Sequence, residues 1–361
     1  MKIVFIAYIH GVGGAQKQSV LIANAMANLG CDVTLMILGA IKKEFEIDKR
    51  IKVINIEKKN SRVVGIIDEY FSIKKALKNI RPDVTISFWL QPIYLVAAMS
   101  KKIRGKIIYS ERCDPSNSHY SGLRGLIRHF SFKKVDGFVF QTSAARSFFS
   151  KKIQSKSIII PNPVFIDKTI RRSLRDDGDI VAVGRLHPQK NYKLLIKSFS
   201  LIEDKYPSVK LKIYGGGEQK KDLDDMIKKF GLSHQVLLMG ESDNVINEIK
   251  DARLFVISSD YEGMPNALLE AMSIGLPCIS TDWAPGGVSD IIKNGKNGII
   301  VPAKNENELA RAMDNLLSDD KKSKMIGEAA KESMEKHNPN KVFEKWYNWI
   351  KKVAGKNEEW A

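Results

Sequence analysis

Two glutamates, Glu262 and Glu270, lie in a segment where an apolar stretch runs into a helical pattern. The apolar residues Leu254–Ile257 predict a buried strand, and Asn266–Ser273 predicts a helix whose first turn accommodates Pro265. Free backbone amides at a helix start bind anions, yet this sequence adds acids there. Acids beside an anion site fit a ligand that carries hydroxyl groups as well as phosphates. A nucleotide sugar is such a ligand.

Two cations frame a second predicted strand-to-helix turn. The strand Ile180–Val183 is followed by Gly184 and Arg185, and Lys190 closes the turn. A guanidinium binds phosphate oxygens in pairs, and an ammonium adds a point charge. Together they could neutralise a diphosphate leaving group, whose developing charge opposes bond cleavage. Either cation alone is better explained as a solvated base, but their place on the same sheet edge as Glu262 favours a function.

Glycine-rich turns follow two other predicted strands. Gly13 and Gly14 permit a phosphate to approach the backbone at a helix start, and a tight turn without a ligand explains them equally well. Gly215 and Gly217 form a similar turn, for which a purely structural role is the commoner case. The first turn lacks the dinucleotide fingerprint because Gln16 replaces the third glycine, so no nicotinamide cofactor is expected.

Short apolar runs alternate with helical patterns along the chain, which predicts an α/β fold with parallel sheets. Seven strands are predicted before the break at Pro161-Asn162-Pro163, and six more after residue 179. We therefore expect two doubly wound domains facing across a cleft, because 361 residues exceed what one core usually supports. The expected divisions are an N-terminal domain over residues 1–165, a C-terminal domain over 166–338, and a final helix within 339–361 that could cross back onto the first domain.

The net charge of +17 is placed almost entirely in the first half. Residues 1–165 hold 27 Lys and Arg against 11 Asp and Glu, whereas the remainder holds 31 against 30. A uniformly lysine-rich composition would spread the excess evenly. The asymmetry predicts an anionic partner for the first domain, such as nucleic acid, anionic lipid or a polyphosphate.

Other classes of site are less well supported. The three cysteines have no metal-ligand spacing and fit a reducing compartment. Asp222-Leu223-Asp224 matches an Asp-x-Asp metal motif, but its lysine-rich helical context favours a solvated face. No apolar stretch approaches the roughly 20 residues that cross a bilayer, so a soluble or peripheral protein is expected.

The combined motifs resemble the retaining glycosyltransferases of family 4, which have the GT-B fold. The resemblance covers nearly the whole chain and is strongest over residues 180–303. Its most specific part is the Glu-x7-Glu segment with Gly-Met-Pro-Asn. The motifs that carry it are Gly184-Arg185-Leu186 with Lys190, Gly215 and Gly217, Glu262 to Glu270, and Asn297-Gly298 before Val301-Pro302.

The resemblance implies roles for individual residues. Arg185 and Lys190 would bind the donor diphosphate, and Glu262 would contact hydroxyls of the transferred sugar. The backbone amides of the segment Gly263, Met264, Pro265 and Asn266 would meet the sugar and phosphate, with Glu270 on the ribose. The family's retaining chemistry is drawn as front-face attack in which the leaving phosphate takes the acceptor proton, so no side-chain nucleophile is required. With Arg185 and Lys190 available for the diphosphate, neither a metal nor another cofactor is expected.

The acceptor side is less clearly defined. The family often has a histidine after the strand that here ends at Tyr109, whereas this chain offers Glu111 and Arg112, with His119 further on. The segment from Tyr109 to Asn117 is similar to a subset that builds bacterial surface polysaccharides. Residues 119–134 predict a basic amphipathic helix that suits an anionic membrane surface, and an ordinary surface helix with its apolar stripe in the core is an even alternative.

These features favour a hexose or N-acetylhexosamine transferase that uses a nucleotide sugar, with UDP the expected base. The expected acceptor is a polyprenyl-diphosphate-linked saccharide at the cytoplasmic face of the membrane, where the protein would be peripheral. Another GT-B activity, such as a sugar-nucleotide 2-epimerase or a phosphorylase, is the second hypothesis. A basic nucleic-acid-binding protein is a distant third, because Phe88 and Trp89 fit a strand end better than an exposed stacking platform.

Overall fold

The structure is a computed structural model, and it describes residues 1–9, 14–39, 45–56, 62–115, 122–165, 170 and 178–356. Two compact units are found: Met1–Asn162 together with Asn340–Ala361 form unit 1, and Pro163–Pro339 form unit 2. Each unit has its own sheet and its own apolar core.

Unit 1 is built on seven parallel strands in the spatial order β3-β2-β1-β4-β5-β6-β7. The strands are β1 Lys2–Ala7, β2 Asp32–Leu38, β3 Lys52–Ile56, β4 Val84–Ser87, β5 Lys106–Ser110, β6 Gly137–Phe140 and β7 Ser157–Ile159. The helices are α1 Gly14–Asn28, α2 Arg62–Ile80, α3 Leu90–Ala97, α4 Lys101–Arg104, α5 Gly122–Phe132, α6 Ser143–Ser147 and α7 Lys151–Gln154. Alternate residues of β1 enter the two apolar clusters on opposite faces, so the sheet is covered on both sides.

Unit 2 repeats this architecture with six parallel strands in the order β10-β9-β8-β11-β12-β13. The strands are β8 Ile180–Val183, β9 Leu211–Tyr214, β10 Val236–Gly240, β11 Leu254–Ile257, β12 Cys278–Thr281 and β13 Ile299–Val301. The helices are α8 Tyr192–Phe199, α9 Lys220–Lys229, α10 Val245–Ile249, α11 Asn266–Ser273, α12 Glu306–Leu317 and α13 Asp320–Ser333. In both sheets the order reverses once, between β1 and β4 and between β8 and β11. Ligand crevices of doubly wound sheets lie at this switch point, at the carboxyl ends of the strands.

The last helix, α14 (Pro339–Ala354), belongs to the core of unit 1. Trp346 and Ile350 are fully buried, and Trp349 is nearly so. Trp346 packs against Phe88, with ring centroids 5.9 Å apart. The final helix therefore completes the apolar layer on one face of the first sheet, since Val342, Trp346, Trp349 and Ile350 join the cluster formed around β1 and β2.

The predicted strands all form, and the predicted α/β class with two Rossmann-like domains is confirmed. The helical pattern of residues 143–151 predicts one helix, which is wrong: the structure has two short helices because Ser150 is extended, with ψ 154°. The helical pattern of residues 191–206 also predicts one helix, but α8 ends at Phe199 and only a 3₁₀ turn follows at Glu203–Lys205. Among the described residues, none of the helices combines the length and apolarity needed to cross a bilayer.

Candidate active site

The turn that carries Glu262 follows β11 and is anchored to the segment after β12. The Glu262 N–H donates to the carbonyl of Ala284 at 3.2 Å, and the Ala284 N–H donates to the carbonyl of Asp260 at 3.1 Å. The apolar strand Leu254–Ile257 is buried throughout, so it fixes where this turn begins. The backbone pairing then sets the position of Glu262 at the carboxyl edge of the sheet.

The Glu262 carboxylate is 6% exposed and has three polar partners. The Lys190 ammonium lies 2.6 Å from Oε1, and the Ser259 hydroxyl donates to the same oxygen at 2.7 Å. The Gln189 amide donates to Oε2 at 3.2 Å. A buried charge is stable when it is paired and hydrogen-bonded, so Glu262 is held as an oriented carboxylate that can accept hydrogen bonds from hydroxyl groups.

The turn that carries Lys190 is joined to the Glu262 turn by side-chain hydrogen bonds. Asn191 has a left-handed backbone (φ 46°) and caps α8 by accepting from the Leu194 N–H at 3.2 Å. Its amide also donates to Asp260 at 2.9 Å, and the Ser258 hydroxyl donates to the Lys190 carbonyl at 2.8 Å. These bonds fix the register of the two turns across the switch point between β8 and β11.

The glycine turn after β9 packs directly against the turn after β8, which carries Arg185 and Lys190. A Cβ on Gly215 would collide with the carbonyl oxygen of Gly184, and one on Gly217 would collide with the carbonyl of Leu186. Both glycines have positive φ, at 138° and 154°. The Leu186 N–H donates to the Gly216 carbonyl at 2.8 Å. Gly215 and Gly217 are therefore required for this backbone approach whether or not they also face a ligand.

The two predicted cations differ in their surroundings. Arg185 is exposed, and no described residue forms an ion pair with it. The Lys190 ammonium uses one N–H for Glu262, and no other described partner takes its remaining two donors. The site thus carries one free guanidinium and one anchored ammonium beside an oriented carboxylate.

The residues after Glu262 lead into α11 as predicted. Met264 and Pro265 are buried, whereas Gly263, Asn266 and Glu270 are half-buried. Pro265 is the N-cap residue of α11 and not part of its first turn, and no side chain caps the helix. The first backbone amides of α11 therefore have no intrahelical acceptor and no side-chain acceptor from the cap residue.

Three residues at this site carry no motif signal in the sequence. Gln189 and Ser259 hold the Glu262 oxygens, and Tyr192 lies behind them with a buried hydroxyl that has no described partner. Burial and the Glu262 charge raise the pKa of Tyr192, so this hydroxyl stays protonated. The sequence indicates these three residues only through their position, because each lies within three residues of Lys190 or Glu262 in the chain.

The Asp-x-Asp motif lies on an exposed face of α9, as expected. Asp222 lies 3.6 Å from Lys193, and Asp224 lies 2.5 Å from Lys228. The intervening Leu223 is fully buried in the core. In the described part of the chain, no three His, Cys, Asp or Glu side chains are grouped closely enough to hold a metal.

The acceptor-side candidates of unit 1 form a buried network. Glu111 is 2% exposed and accepts hydrogen bonds from the Tyr109 hydroxyl at 2.9 Å and from the N–H groups of Arg112 and Cys113, both at 3.1 Å. The Arg112 guanidinium stacks 4.2 Å from the Phe88 ring and donates to Asn162 at 2.7 Å. Burial raises the pKa of Glu111 and lowers the pKa of Arg112 to about 9.

Two predicted residues, Gly13 and His119, lie outside the described residues. Gly14 is the first residue of α1, as predicted for a glycine at a helix start. The amphipathic helix predicted within 119–134 forms as α5, Gly122–Phe132. Three of its apolar side chains face solvent, since Leu126 is 57% exposed, Ile127 42% and Phe130 62%. The alternative in which this stripe is buried in the core is therefore wrong for these three residues.

Replacing Gly215 with alanine tests the contact between the glycine turns. Gly215→Ala should lower the free energy of unfolding of unit 2 by about 2–3 kcal/mol, because the new Cβ meets a backbone carbonyl at a positive φ. Gly216→Ala is the matched control, since its Cβ meets only the flexible end of Glu241 at 2.6 Å. Urea unfolding followed by circular dichroism measures both variants. Equal midpoints for the two would show that the close approach is not a constraint.

The raised pKa of Glu111 predicts a pH dependence of the stability of unit 1. A carboxyl group whose folded pKa lies above its unfolded value binds protons more tightly when folded, so its stabilising effect is lost as the pH rises through the folded pKa. Glu111→Gln keeps the shape and the two backbone acceptor bonds without the charge. The stability difference between variant and wild type should therefore move in favour of the variant as the pH rises above the ordinary pKa of a glutamate. A stability difference that stays constant with pH would contradict a raised pKa for Glu111.

Two family models match the chain over most of its length. The model for glycosyl transferases group 1 matches residues 166–333, and the model for glycosyl transferase 4-like domains matches residues 7–141. The first match spans the whole candidate site of unit 2. The second begins at the last residue of β1 and extends through β6.

Relatives of similar length carry the same assignment. An uncharacterised glycosyltransferase of Haemophilus influenzae is 25% identical over 95% of this chain and 97% of its own. An N-acetyl-D-galactosaminyltransferase of Campylobacter jejuni, named for a GalNAc-GalNAc-diNAcBac-PP-undecaprenol substrate, is 24% identical over 98% of this chain and 99% of its own. Among solved structures, Anabaena HepE in complex with UDP superimposes with a TM-score of 0.82 at 17% identity, covering 98% of this chain and all of that one.

The sheet order, the motif positions and the two model matches agree on one assignment. The chain belongs to the group 1, family 4-like glycosyltransferases with the GT-B fold.

Proposed function

We propose that this glycosyltransferase is a retaining, metal-independent hexosyltransferase. It moves a hexose or N-acetylhexosamine from a UDP-sugar to a polyprenyl-diphosphate-linked saccharide in surface polysaccharide synthesis. It works as a peripheral protein on the cytoplasmic face of the membrane. The observation that carries the proposal is the pairing of the oriented Glu262 carboxylate with the Lys190 ammonium, on the turn that also carries the exposed Arg185.

The donor follows from the division of charge at this site. Arg185 and the two unused donors of Lys190 suit the oxygens of a diphosphate, and the carboxylate of Glu262 suits sugar hydroxyls. The N-terminus of α11 adds positive potential on the same edge of the sheet. The UDP complex of HepE, a protein with the same fold, supports a uridine nucleotide as the carrier.

The reaction needs no side chain that attacks the sugar. The bond between the anomeric carbon and the β-phosphate oxygen breaks, and the acceptor hydroxyl oxygen bonds to the anomeric carbon on the same face. The acceptor proton passes to the departing phosphate oxygen, so UDP leaves and the anomeric configuration is kept. Arg185 and Lys190 stabilise the negative charge that develops on the diphosphate, the role that a divalent metal fills in other transferases.

Two observations support a lipid-linked acceptor: the substrate for which a relative is named, and the positive charge of unit 1. The Campylobacter jejuni relative is named for an undecaprenyl-diphosphate-linked substrate. The first 165 residues carry a net charge of +16, which favours an anionic surface. The exposed Leu126, Ile127 and Phe130 on α5 are accompanied by the exposed base Arg124 on the same helix and by the exposed Lys133 directly after it. Apolar side chains flanked by cations suit the interface of a bilayer that contains anionic lipids.

Removing the Glu262 carboxylate tests the sugar-transfer assignment. Glu262→Ala should reduce transfer from a UDP-sugar at least about 100-fold, because an oriented acceptor of sugar hydroxyl bonds is lost and Lys190 is released. The measurement is UDP release and product formation with a panel of UDP-hexoses and UDP-N-acetylhexosamines. Glu328→Gln, an exposed glutamate on α13, is the matched control and should keep full activity.

Each part of the proposal can be contradicted by a separate measurement. Transfer retained by Glu262→Ala would remove that residue from the site. A product with inverted anomeric configuration, measured by proton NMR coupling at the new linkage, would exclude retention. Loss of activity in EDTA that is restored by Mg²⁺ would exclude the metal-independent mechanism.

The apolar face of α5 provides a test of membrane association. The double change Leu126→Ser with Phe130→Ser should weaken binding to vesicles of phosphatidylcholine and phosphatidylglycerol more than tenfold, because each side chain contributes about 1.5–3 kcal/mol when buried. Co-sedimentation at 0.1 M salt measures binding. Leu201→Ser with Met325→Ser is the matched control, since these side chains of unit 2 are 54% and 61% exposed. Equal sedimentation of both double variants would exclude α5 as the contact.

A further inference from the structure

A cluster of four side chains lies at the carboxyl edge of the unit 1 sheet and includes none of the acceptor candidates that the motifs suggested. Tyr8 directly follows β1, Trp89 follows β4, and Gln91 lies in the first turn of α3. Glu69 reaches the same point from α2. We call these four residues the Glu69 cluster. They meet where the strand order reverses between β1 and β4, the position at which doubly wound sheets bind ligands.

The Glu69 carboxylate is 5% exposed and is held by two neutral donors. The Tyr8 hydroxyl donates to Oε1 at 3.0 Å, and the Gln91 amide donates to Oε2 at 2.9 Å. Burial and the neighbouring carboxylate raise the pKa of Tyr8, so the phenol remains a donor. Each carboxylate oxygen therefore has one partner and keeps capacity for a second hydrogen bond.

No cation among the described residues pairs with Glu69. Buried carboxylates are rarely left without a positive partner, because desolvation of a charge costs several kcal/mol. A purely structural link between α2, the β1 turn and α3 would be served as well by an uncharged amide or an apolar contact. An unpaired buried carboxylate with open acceptor positions therefore points to a ligand that brings hydrogen-bond donors.

The aromatic members of the cluster narrow the class of ligand. The rings of Tyr8 and Trp89 meet edge to face, with centroids 5.9 Å apart, and both side chains are only partly buried. Gln91 has an amide oxygen for which no described residue is a donor. Partly exposed aromatic rings beside a few convergent polar groups are typical of small-molecule pockets. A phosphate or other anion would be repelled by Glu69, so the chemistry favours an uncharged polyol with an apolar ring face.

We infer that the Glu69 cluster is a saccharide subsite that binds the sugar ring of the acceptor. Glu69 and the Gln91 amide oxygen accept hydrogen bonds from ring hydroxyls, and Trp89 provides the apolar platform. This inference rests on the proposed transfer function and specifies its acceptor side. It separates the acceptor into a neutral ring that binds here and an anionic diphosphate that binds to basic groups elsewhere on unit 1.

Direct binding of methyl glycosides tests the subsite without any transfer reaction. The probes are the methyl glycosides of glucose, galactose, N-acetylglucosamine and N-acetylgalactosamine, observed by saturation-transfer NMR with the full chain. At least one should bind the wild type, and its Kd should rise about tenfold or more in Trp89→Ala and in Glu69→Gln. Two conservative controls, Tyr70→Phe on the same helix as Glu69 and Glu344→Gln on α14, should leave the Kd unchanged.

Calorimetric titration with UDP separates this inference from the proposed function. UDP should bind the wild type and all four variants equally, because the cluster lies in unit 1 and the donor site in unit 2. A wild type that binds no UDP would count against the proposed function. A wild type that binds UDP but none of the glycosides, or binds them with the same Kd in every variant, would overturn the subsite alone. Gln91→Leu should also raise the glycoside Kd, and it provides the answer if Glu69→Gln does not fold.

Discussion

The candidate site depends on keeping one buried carboxylate charged and in place. Glu262 is almost fully buried, and its charge is offset by the Lys190 ammonium at 2.6 Å and by hydrogen bonds from Ser259 and Gln189. The desolvation of such a pair is expensive, so good geometry is required for it to persist. The bonds between Asn191 and Asp260 and between Ser258 and Lys190 provide that geometry, because they hold the two turns in fixed register.

Close backbone packing of the glycine turns also helps to hold the Glu262–Lys190 pair in place. Gly215 and Gly217 let the turns after β8 and β9 approach more closely than any side chain would allow. This approach brings the carboxyl ends of β8 and β9 together behind the charged pair. The fold of unit 2 therefore places one guanidinium, one ammonium and one carboxylate at a single edge, and it holds the ammonium and the carboxylate in fixed positions.

The elements of the fold could be predicted from the sequence because parallel strands buried on both faces appear as short apolar runs. The strands flanking Glu262 and Arg185 were identified in this way, and α11 begins and ends at the predicted residues. The break at Ser150 was not predicted, because a single extended residue inside a helical pattern leaves no periodic signal. The boundaries near Asn162 and Asn340 follow from proline-rich breaks that are visible in the chain.

The sequence predicts a site residue only where a chemically active residue type also belongs to a recognisable motif. Arg185, Lys190 and Glu262 carry a pattern, but the direct pairing of Lys190 with Glu262 joins residues 72 positions apart and is set by tertiary packing. Gln189, Ser259 and Tyr192 are ordinary residue types at turns, and Glu69 is one acid in an amphipathic helix. Their importance comes from burial and hydrogen bonding, which the linear sequence does not encode. The opposite case is α5, where an ordinary amphipathic pattern predicted burial and membrane contact equally well, and only the exposure of Leu126, Ile127 and Phe130 favours one of them.

The return of α14 to unit 1 has a consequence for biosynthesis. Trp346 and Ile350 fill the interior of the first unit, yet they leave the ribosome after every residue of the second unit has been made. The nascent first unit therefore waits with an uncovered apolar face while about half of the protein is translated. The core of the first unit is completed only after the second unit has been synthesised, and a chain that stops before residue 340 would hold all of the second unit, with the first unit left incomplete.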